Sequence, residues 1–474
     1  MGTDCKRQQL EIQGFGKGRR RVVANFEGGT LSSDGGVLLL GETERQRRII
    51  ERFAECFIDH RDPEALEHPV GDLVAQRIYG LALGYEDLND HDELRLDPLL
   101  ATVVGKADPT GSARRCERDR GKALAGRSTL NRLEGGVGTD PERDTYKRVG
   151  LNEAAVQGLF VELFLEAYDE APEQIVIDLD ATDDPLHGQQ EGRFFHGYYG
   201  CYCYLPLYIF CGQHLLCAKL RRSNIDAPAG AVDEVARIVA QIRQQWSQTR
   251  IILRGDSGFA RDRLMSWCEA NDADYVFGLA RNARLERAIE QELAEAKKRS
   301  ESSGTAERIF KDFSHRTLDS WSCTRRVVGK AEQLPGRRNP RFVVTSLSKE
   351  QIVASELYED LYCARGDMEN RIKEQQLGLF ADRTSAHQMA VNQLRLWFSS
   401  IAYVLMAELR RLGLADTVLE TAQCGTMRLK LLKVGARIRV TSRRVWVMLS
   451  SAYPHKGVFL QAFQQLQPSR GSPA

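Results

Sequence analysis

The spacing of apolar and polar positions changes character near residue 170. From residue 36 to 165 apolar residues recur at helical spacing with charges between them, which predicts a mainly helical region. From residue 174 the apolar period becomes two, and QIVIDLDAT predicts a strand. Strands and helices then follow in the order β-β-β-α-β-α-β. The pattern therefore predicts a mixed α/β fold, with helices packed on a sheet.

Two aromatic-rich segments after the first strand predict two more strands. They are HGYYGCYCYLPLYIFCG (196–212) and HLLCAKLRR (214–222), with a turn at Gly212–Gln213. Both faces of the first segment are apolar, so we expect a central strand that is covered on both sides. Its aromatic face would comprise Tyr202, Tyr204, Tyr208 and Phe210. Aromatic rings also stack on bases, but the pattern favours packing in the core.

The later segments add an insertion and a long helical region. Residues 284–303 predict a charged helix, and residues 306–347 predict a small β unit inserted into the fold. Helical spacing resumes from about 354 to 412.

The composition is that of an ordinary globular protein. The 474 residues are 42% hydrophobic and 28% charged, with a net charge of +1, as in a globular protein of two to four structural units. The longest apolar stretch, residues 396–409, is too short to cross a membrane, and the polar start has no signal-peptide pattern. Eleven scattered Cys without a C-x-x-C pair favour a reducing cytoplasm.

Basic residues are concentrated in three places. They are a cluster at residues 17–21, a polar stretch at 110–136, and a tail without Asp or Glu after Glu420. Alternating Arg and apolar residues at 437–446 predict a strand with one basic face. This face would carry Arg437, Arg439, Arg443 and Arg444. A one-sided basic surface is typical of a polyanion-binding protein, and an ordinary solvated edge strand is the alternative.

The strand at 175–181 ends in acids that have two interpretations. As a phosphatase of the haloacid-dehalogenase type, the chain would use Asp178 as nucleophile and Asp180 as acid/base, with an acidic loop at Asp256 holding Mg²⁺. Alternatively, the strand delivers one metal-binding carboxylate. The phosphatase hypothesis is weakened because further strands follow Asp180, where a doubly wound fold would place a helix.

A helical segment at 360–376 carries an unusual stripe of polar residues. Their spacings of three, four, four and three put them on one face. The stripe comprises Tyr362, Arg365, Glu369, Lys373 and Gln376. Such a stripe suits a phosphate backbone near a metal site, and a solvated face with i,i+4 ion pairs is the alternative. Asp180, Asp256 and Glu369 together could hold two divalent ions for in-line phosphoryl transfer. Hard oxygen ligands favour Mg²⁺ or Mn²⁺.

Three short blocks resemble a known family. Asp180-Ala-Thr, Arg254-Gly-Asp256-Ser-Gly-Phe and Tyr362-x-x-Arg365-x-x-x-Glu369 are similar to the blocks of a DDE transposase with a ribonuclease-H-like core. Longer segments resemble the bacterial insertion-sequence 1380 family over residues 30 to 460. These segments are LSSDGGVLLLGE, DATDDPLHGQQEGRFFHGYYGCYCYLPLYIFCG and RLKLLKVGARIRVTSRRVWVMLSSAYP.

The resemblance implies an enzyme that cuts the terminal inverted repeats of its own element and joins the 3′ ends to target DNA. It implies Asp180, Asp256 and Glu369 as ligands of two Mg²⁺ or Mn²⁺ ions, with Tyr362 and Arg365 near DNA phosphates. The family pattern has a Lys where this chain has Gln376, and Lys373 on the same face is the candidate replacement. A dimer in the synaptic complex, a nucleoid-associated place in a bacterial cytoplasm and no membrane contact are also expected.

The resemblance also suggests a division of the chain. The predicted regions are a mainly helical DNA-binding region (1–168), a split ribonuclease-H-like catalytic core (169–284 and 353–415), an inserted β-rich subdomain (285–352) and a basic C-terminal region (416–474). A catalytically inactive DNA-binding relative is a further alternative, and the presence of all three carboxylates counts against it.

Overall fold

The computed structural model describes residues 10–12, 22–136 and 149–467. The predicted basic cluster at 17–21 lies outside these residues. The chain forms two compact units, each assembled from separate segments. The first unit comprises 1–48, 67–131 and 408–474, and the second comprises 49–66 and 132–407. The predicted region boundaries remain predictions.

The described strands are two to ten residues long. They are β1 (Leu10–Ile12), β2 (Val22–Ala24), β3 (Leu31–Ser32), β4 (Phe57–Asp59), β5 (Val149–Leu151), β6 (Gln174–Ala181), β7 (Asp184–Pro185), β8 (Phe194–His196), β9 (Cys201–Tyr204), β10 (Leu207–Cys211), β11 (His214–Lys219), β12 (Arg250–Gly255), β13 (Asp274–Leu279), β14 (Glu307–His315), β15 (Arg325–Leu334), β16 (Arg337–Arg338), β17 (Arg341–Thr345), β18 (Ala436–Val440) and β19 (Val445–Leu449).

Helices occupy much of the remaining described chain. They are α1 (Val37–Arg47), α2 (Ile49–Glu55), α3 (Val70–Leu83), α4 (His91–Leu94), α5 (Pro98–Val104), α6 (Arg127–Gly135), α7 (Glu153–Leu165), α8 (Ala231–Gln245), α9 (Asp262–Ala270), α10 (Ala283–Ala288), α11 (Glu290–Ser303), α12 (Ala354–Glu356), α13 (Gly366–Lys373), α14 (Met389–Glu408), α15 (Cys424–Met427) and α16 (Lys456–Gln465). No described helix is both long enough and apolar enough to cross a membrane.

The second unit is built on a mixed sheet. Among the described residues this sheet has nine strands, in the order β11-β10-β6-β12-β13-β17-β15-β14, with β16 paired to β15. The central strands β6, β12 and β13 are parallel, and β10 and β11 run as an antiparallel hairpin beside β6. When β6, β10, β11, β12 and β13 are numbered one to five in sequence order, their order across the sheet is 3-2-1-4-5. The second of these strands runs antiparallel to the first. This arrangement is that of a ribonuclease-H-like core, as the sequence predicted.

The inserted β unit extends this same sheet. Strand β17 pairs antiparallel with β13, and β15 and β14 follow in turn. The predicted insertion is therefore β-rich and continuous with the core. Its charged helical part is split into α10 and α11 at Ile289, which is buried beneath the sheet.

Apolar side chains alternate with acids along the second half of β6, so the two kinds of side chain lie on opposite faces of the sheet. Ile175, Ile177 and Leu179 point into the main core, which the helices α7, α8, α9 and α11 also line. Because side chains alternate along a strand, Asp178 and Asp180 point to the opposite face. On that face a smaller core is formed with the segment that carries Leu357 and Tyr358. The acids of β6 therefore face the helical segment at 354–378, which carries the polar stripe and which we call the polar helix.

The prediction of a single strand over residues 196–212 was wrong. The segment turns at Leu205–Pro206, since β9 pairs with β7 and β8 in a small separate sheet while β10 enters the main sheet. Proline lacks the N–H that a central strand needs, which explains the break. Strand β10 is buried throughout and the turn at Gly212–Gln213 is present, so both of these predictions are confirmed.

The helical region from 354 to 412 is interrupted. A π-helical turn (Leu357–Tyr362), a 3₁₀ turn (Cys363–Arg365) and a second π-helical turn (Glu374–Gly378) flank α13. Residues 380–388 are not helical, and α14 begins after them. Phe380 has a φ of 62°, a left-handed value that ends a helix.

The first unit packs helices α1, α3 and α5 together and adds a three-stranded sheet of β19, β18 and β3. The single basic strand predicted at 437–446 is instead a hairpin, because the chain reverses at residues 441–444, where Thr441 Oγ1 accepts from the backbone N of Arg444 at 3.1 Å. Arg437 and Arg439 alternate with buried Ala436 and Ile438, so one strand does present a basic face.

Candidate active site

Two of the predicted acids come from neighbouring parallel strands. In the register of β6 and β12, Leu179 lies beside Gly255, so Asp180 and Asp256 follow side by side at the carboxyl ends of the two strands. The Asp256 carboxylate accepts a hydrogen bond from the backbone N of Gly258 at 2.8 Å, and Asp180 accepts one from Ala181 at 2.9 Å. Each acid is thus held at the sheet edge by its own loop.

The polar helix brings the third acid to the same place. Arg365 lies between the acids, with its Nη1 3.5 Å from Asp180 Oδ2 and its Nη2 2.8 Å from Glu369 Oε1. Burial lowers the pKa of Arg365, but the negative charges of Asp180 and Glu369 outweigh it and the pKa is raised. The guanidinium therefore compensates the charge of a carboxylate from the sheet and one from the helix.

Asp178 is already engaged in a buried ion pair. Arg254 binds its carboxylate through both Nε and Nη2, at 2.5 and 2.7 Å, and donates from Nη1 to the carbonyl of Leu361 at 2.5 Å. A carboxylate with both oxygens occupied by Arg254 is poorly placed to attack a phosphorus atom. The arrangement counts against the phosphatase hypothesis and joins β6, β12 and the polar helix.

Asp180 is in an environment that disfavours its negative charge. Burial and the nearby charges of Asp256 and Glu369 raise its pKa to about 7, although Arg365 and the Ala181 backbone act in the opposite direction. A partly buried carboxylate among like charges is stabilised by a cation, and three carboxylates are the hard oxygen donors that Mg²⁺ or Mn²⁺ prefers. The donor chemistry therefore fits a divalent ion.

The side chains do not, however, form a closed ligand set. Among the described residues, no three His, Cys, Asp or Glu side chains are close enough together to hold a metal ion. Arg365 provides the counter-charge to Asp180 and Glu369 in this arrangement.

A cleft of about 700 Å³ opens over the acids. Asp180, Asp256, Glu369, Arg365 and Lys373 all line it, and so does Gln376. The Gln376 amide donates to the carbonyl of Asp183 at 3.1 Å, so this side chain ties the helix to the loop after β6. Lys373, the candidate replacement for the lysine that the family has at the position of Gln376, is exposed in the cleft.

Tyr362 lies on the other side of Asp256. It lines a second cleft of about 350 Å³ together with Asp256, Arg281 and Arg341. Gly278 of β13 makes room for it, because a Cβ at this position would lie 2.5 Å from the Tyr362 hydroxyl. Sequence reasoning missed Arg281 and Arg341, since the first follows a core strand and the second begins an insertion strand.

The four predicted basic residues of the tail lie together in the first unit. Arg437 and Arg439 are exposed on β18, and Arg443 and Arg444 are exposed in the turn. The guanidinium carbons of Arg439 and Arg444 lie 5.7 and 5.6 Å from the ring centre of Trp446, which is itself 42% exposed. These residues form a basic surface, as expected for binding a polyanion.

Sequence reasoning also missed three aromatic residues of the acidic cleft. His196, Tyr198 and Tyr199 line it, and the Tyr199 hydroxyl donates to the carbonyl of Ala181 at 3.3 Å. Burial, together with Asp183 and Asp180, raises the pKa of Tyr199 to about 12. The available signal was Pro206, which separates these aromatic residues from the buried strand β10.

The ribonuclease-H-like core with acids at the ends of adjacent central strands defines the general class of this chain. A match to the family described as Transposase DDE domain group 1 extends over residues 16–471. The chain belongs to this family of DDE transposases, as the three short blocks predicted.

Other comparisons are more distant. No curated protein matches this chain in sequence. Among solved structures, it is similar to the piggyBac transposase in a cryo-EM structure of its synaptic complex with hairpin DNA. The two chains share 11% identity with a TM-score of 0.39, over 85% of this chain and 80% of the other.

Proposed function

We propose that this protein is a cut-and-paste transposase of the insertion-sequence 1380 family. It would cleave DNA at the terminal inverted repeats of its own element and join the 3′ ends to target DNA. The observation that carries this proposal is the register of β6 and β12, which aligns Asp180 with Asp256 at the edge of the acidic cleft. Family membership supports a transposase, and the longer matching segments support the particular group.

In this proposal Asp180, Asp256 and Glu369 hold two divalent ions, Mg²⁺ or Mn²⁺. Such ions would activate the attacking oxygen and stabilise the leaving oxygen of an in-line phosphoryl transfer. Arg254 keeps Asp178 out of this set by pairing with it, and this ion pair joins β12 to β6 at the site. No covalent phosphoenzyme is expected, because the acids act as ligands.

Cationic side chains around the cleft would hold the DNA backbone. Arg365 and Lys373 line the cleft itself, and Tyr362 lies at the adjoining cleft with its hydroxyl above Gly278. A guanidinium binds phosphate as well as it binds carboxylate, so Arg365 could exchange its acidic partners for a DNA phosphate. The basic hairpin at 436–449 would bind a further stretch of duplex.

The partners follow from the reaction. Double-stranded DNA is required twice, once as the terminal inverted repeats and once as the target. Joining two ends at one target calls for two active sites, so the proposal includes a dimer in the synaptic complex. A bacterial transposase of this kind would act at the nucleoid in the cytoplasm.

Cleavage of a labelled duplex with the ends of the element, in Mg²⁺ or Mn²⁺, tests the proposal. Wild type should nick at the repeat boundary, and Asp180→Asn, Asp256→Asn and Glu369→Gln should bind the duplex without cutting it. Asp233→Asn, in an exposed acid of α8, is the matched control and should cut normally. Normal cutting by Glu369→Gln would show that the ligand set is wrong. Failure of the wild type to cut, with turnover of a phosphomonoester that Asp178→Asn abolishes, would favour the phosphatase.

A further inference from the structure

A hairpin beside the acidic cleft exposes several aromatic rings. It consists of β8, the turn at 197–200 and β9, and we call residues 194–204 the aromatic hairpin. Phe195 is 59% exposed, Tyr198 is 87% exposed and Tyr202 is 46% exposed. Large apolar side chains so exposed and so close together commonly mark a binding surface.

The exposed rings are held on an ordered support. The backbone N of Gly200 donates to the carbonyl of His196 at 2.8 Å, which closes the turn. Ser223 donates to the carbonyl of Phe194 at 3.0 Å, and the Tyr204 hydroxyl donates to the carbonyl of Glu191 at 2.6 Å. The backbone that carries the rings is therefore held in place, which lowers the ordering cost of binding a ligand there.

The rings also contact one another. Phe195 and Tyr202 form an edge-to-face pair with centres 5.6 Å apart, and Tyr198 and Tyr199 form another at 5.0 Å. In such a pair the edge of one ring covers a face of the other, so each pair leaves part of its ring surface uncovered. The aromatic hairpin thus presents flat apolar faces, which suit a planar ligand.

The position of the hairpin links it to the proposed reaction. Tyr198 and Tyr199 line the same cleft as Asp180, Asp256 and Glu369. A nucleotide next to a phosphate at the acids would therefore have its base within reach of this wall of the cleft.

The charge around the hairpin indicates the chemical class of the ligand. The Arg193 guanidinium carbon lies 4.6 Å from the centre of the Tyr202 ring. Exposed Arg222, Arg261 and Lys373 lie beside the hairpin or in the cleft it lines. Cationic groups interleaved with aromatic faces bind single-stranded nucleic acid, because the phosphates pair with the cations and the bases stack on the rings.

We propose that the aromatic hairpin is a stacking site for unpaired bases of the DNA strand whose phosphate lies at the acids. The inference rests on the proposed function, which supplies the DNA. Tyr198, which lines the cleft, stacks on the base next to the phosphate at the acids. Phe195 and Tyr202 stack on bases further along the strand, where Arg193 and Arg222 hold the adjacent phosphates. The site would separate the strands at the element boundary and hold the freed end near the acids.

Equilibrium binding without divalent ions tests this inference separately from cleavage. The probes are a blunt duplex and the same duplex with a six-nucleotide 3′ overhang of dT that contains one 2-aminopurine, both followed by fluorescence anisotropy in EDTA. Wild type should prefer the overhang and quench the 2-aminopurine, since stacking on an aromatic ring quenches it. Tyr198→Ala and Phe195→Ala should each weaken binding of the overhang probe roughly 5- to 150-fold, with much less effect on the blunt duplex.

Matched variants separate stacking from folding. Tyr198→Phe keeps the ring and should keep both the preference and the quenching. Phe463→Ala removes an exposed ring of α16, outside the unit that carries the cleft, and should bind like wild type. If Tyr198→Ala and Phe195→Ala bind and quench the overhang probe like wild type, the inference is wrong. The proposed cleavage function would not be affected by that result. A wild type that binds neither probe would overturn both the inference and the proposed function.

Discussion

At the residue scale, two aspartates on one strand face have different environments. Asp178 is neutralised by a bidentate pair with Arg254, whereas Asp180 has a longer contact with Arg365 and lies near two other acids. The sequence could show that the two aspartates share a face. It could not show which of them pairs with Arg254, since this arginine comes from the neighbouring strand. A largely buried carboxylate with other acids beside it lowers stability, and functional sites commonly have this property.

The raised pKa of Asp180 predicts how stability depends on pH. Its folded-state pKa of about 7 lies above the ordinary 3.8, so the folded protein binds more protons between about pH 4 and pH 7 and loses stability as pH rises through that window. Asp180→Asn should therefore raise the melting temperature at pH 8 in EDTA. The rise of the Asp180 pKa from 3.8 to about 7 corresponds to a gain of at most about 4 kcal/mol.

Scanning calorimetry at pH 8, 6 and 4 would measure this effect. The gain from Asp180→Asn should be largest at pH 8 and disappear towards pH 4, where the wild-type acid is protonated. Asp226→Asn alters an exposed acid of the same cleft and should not change the melting temperature in this way. An Asp180→Asn variant that melts at or below the wild-type temperature at pH 8 would contradict the proposed environment of Asp180.

At the element scale, the basic hairpin of β18 and β19 shows what a period of two can and cannot predict. The alternation of Arg437 and Arg439 with apolar residues predicted one basic face, and this face is present. The same pattern continued through residue 446 and concealed the reversal at 441–444. The alternation continues on both sides of that turn, so the period alone could not locate it.

Neutral replacements in this hairpin should weaken DNA binding in a salt-dependent way. Replacing Arg437, Arg439, Arg443 and Arg444 with Ala removes cations that would displace counterions from the duplex. The slope of log K against log salt should fall by about 0.9 for each lost phosphate contact. Anisotropy titrations of a blunt duplex from about 50 to 200 mM salt would measure the slope.

Exposed arginines elsewhere provide the comparison for this prediction. Arg45→Ala removes a half-exposed cation of α1 that is paired with Glu42, and its slope should match wild type. The four-fold variant should keep its melting temperature, because these side chains lie on the surface. An unchanged slope in that variant would mean that the hairpin does not contact phosphates.

At the scale of the whole molecule, residues 31–36 and residues 431–449 meet in one compact unit. The segment LSSDGG at 31–36 contacts the tail, where the backbone N of Gly35 donates to Val434 and that of Gly36 to Leu432. Lys433 pairs with Asp34 at 2.6 Å and lies over the Tyr85 ring. LSSDGGVLLLGE and RLKLLKVGARIRVTSRRVWVMLSSAYP, which both resemble the insertion-sequence 1380 family, are therefore packed against each other.

Gly36→Ala should destabilise the first unit because of this close approach. A Cβ at residue 36 would collide with the carbonyl of Leu431 and the Cα of Leu432, and backbone atoms cannot move aside as a side chain can. Overpacking of this kind costs about 1–3 kcal/mol. Limited proteolysis with mass spectrometry should show faster cutting within residues 67–131.

A second glycine serves as the control for this substitution. A Cβ at Gly425 would meet no atom within 4 Å, so Gly425→Ala should keep the wild-type digestion pattern. Equal protection of residues 67–131 in Gly36→Ala and Gly425→Ala would show that the tail does not pack tightly on this segment.

The sequence alone predicted most of the elements and the candidate acids of the site. The change of period at residue 174 marked the core, and the blocks at 180, 254 and 362 indicated the transposase family before any contact was known. These properties are local, because strand and helix periods and short motifs are written in consecutive residues. They were enough to predict the class of fold and the identity of the candidate acids.

Only the tertiary structure decided how these residues are paired. It put Arg254 on Asp178, Arg365 between Asp180 and Glu369, and an exposed aromatic hairpin where the sequence predicted a buried strand. It also brought residues 31–36 against the tail. Each of these depends on partners far apart in the chain, and a one-dimensional pattern does not specify which distant residue will neutralise a charge or cover a ring.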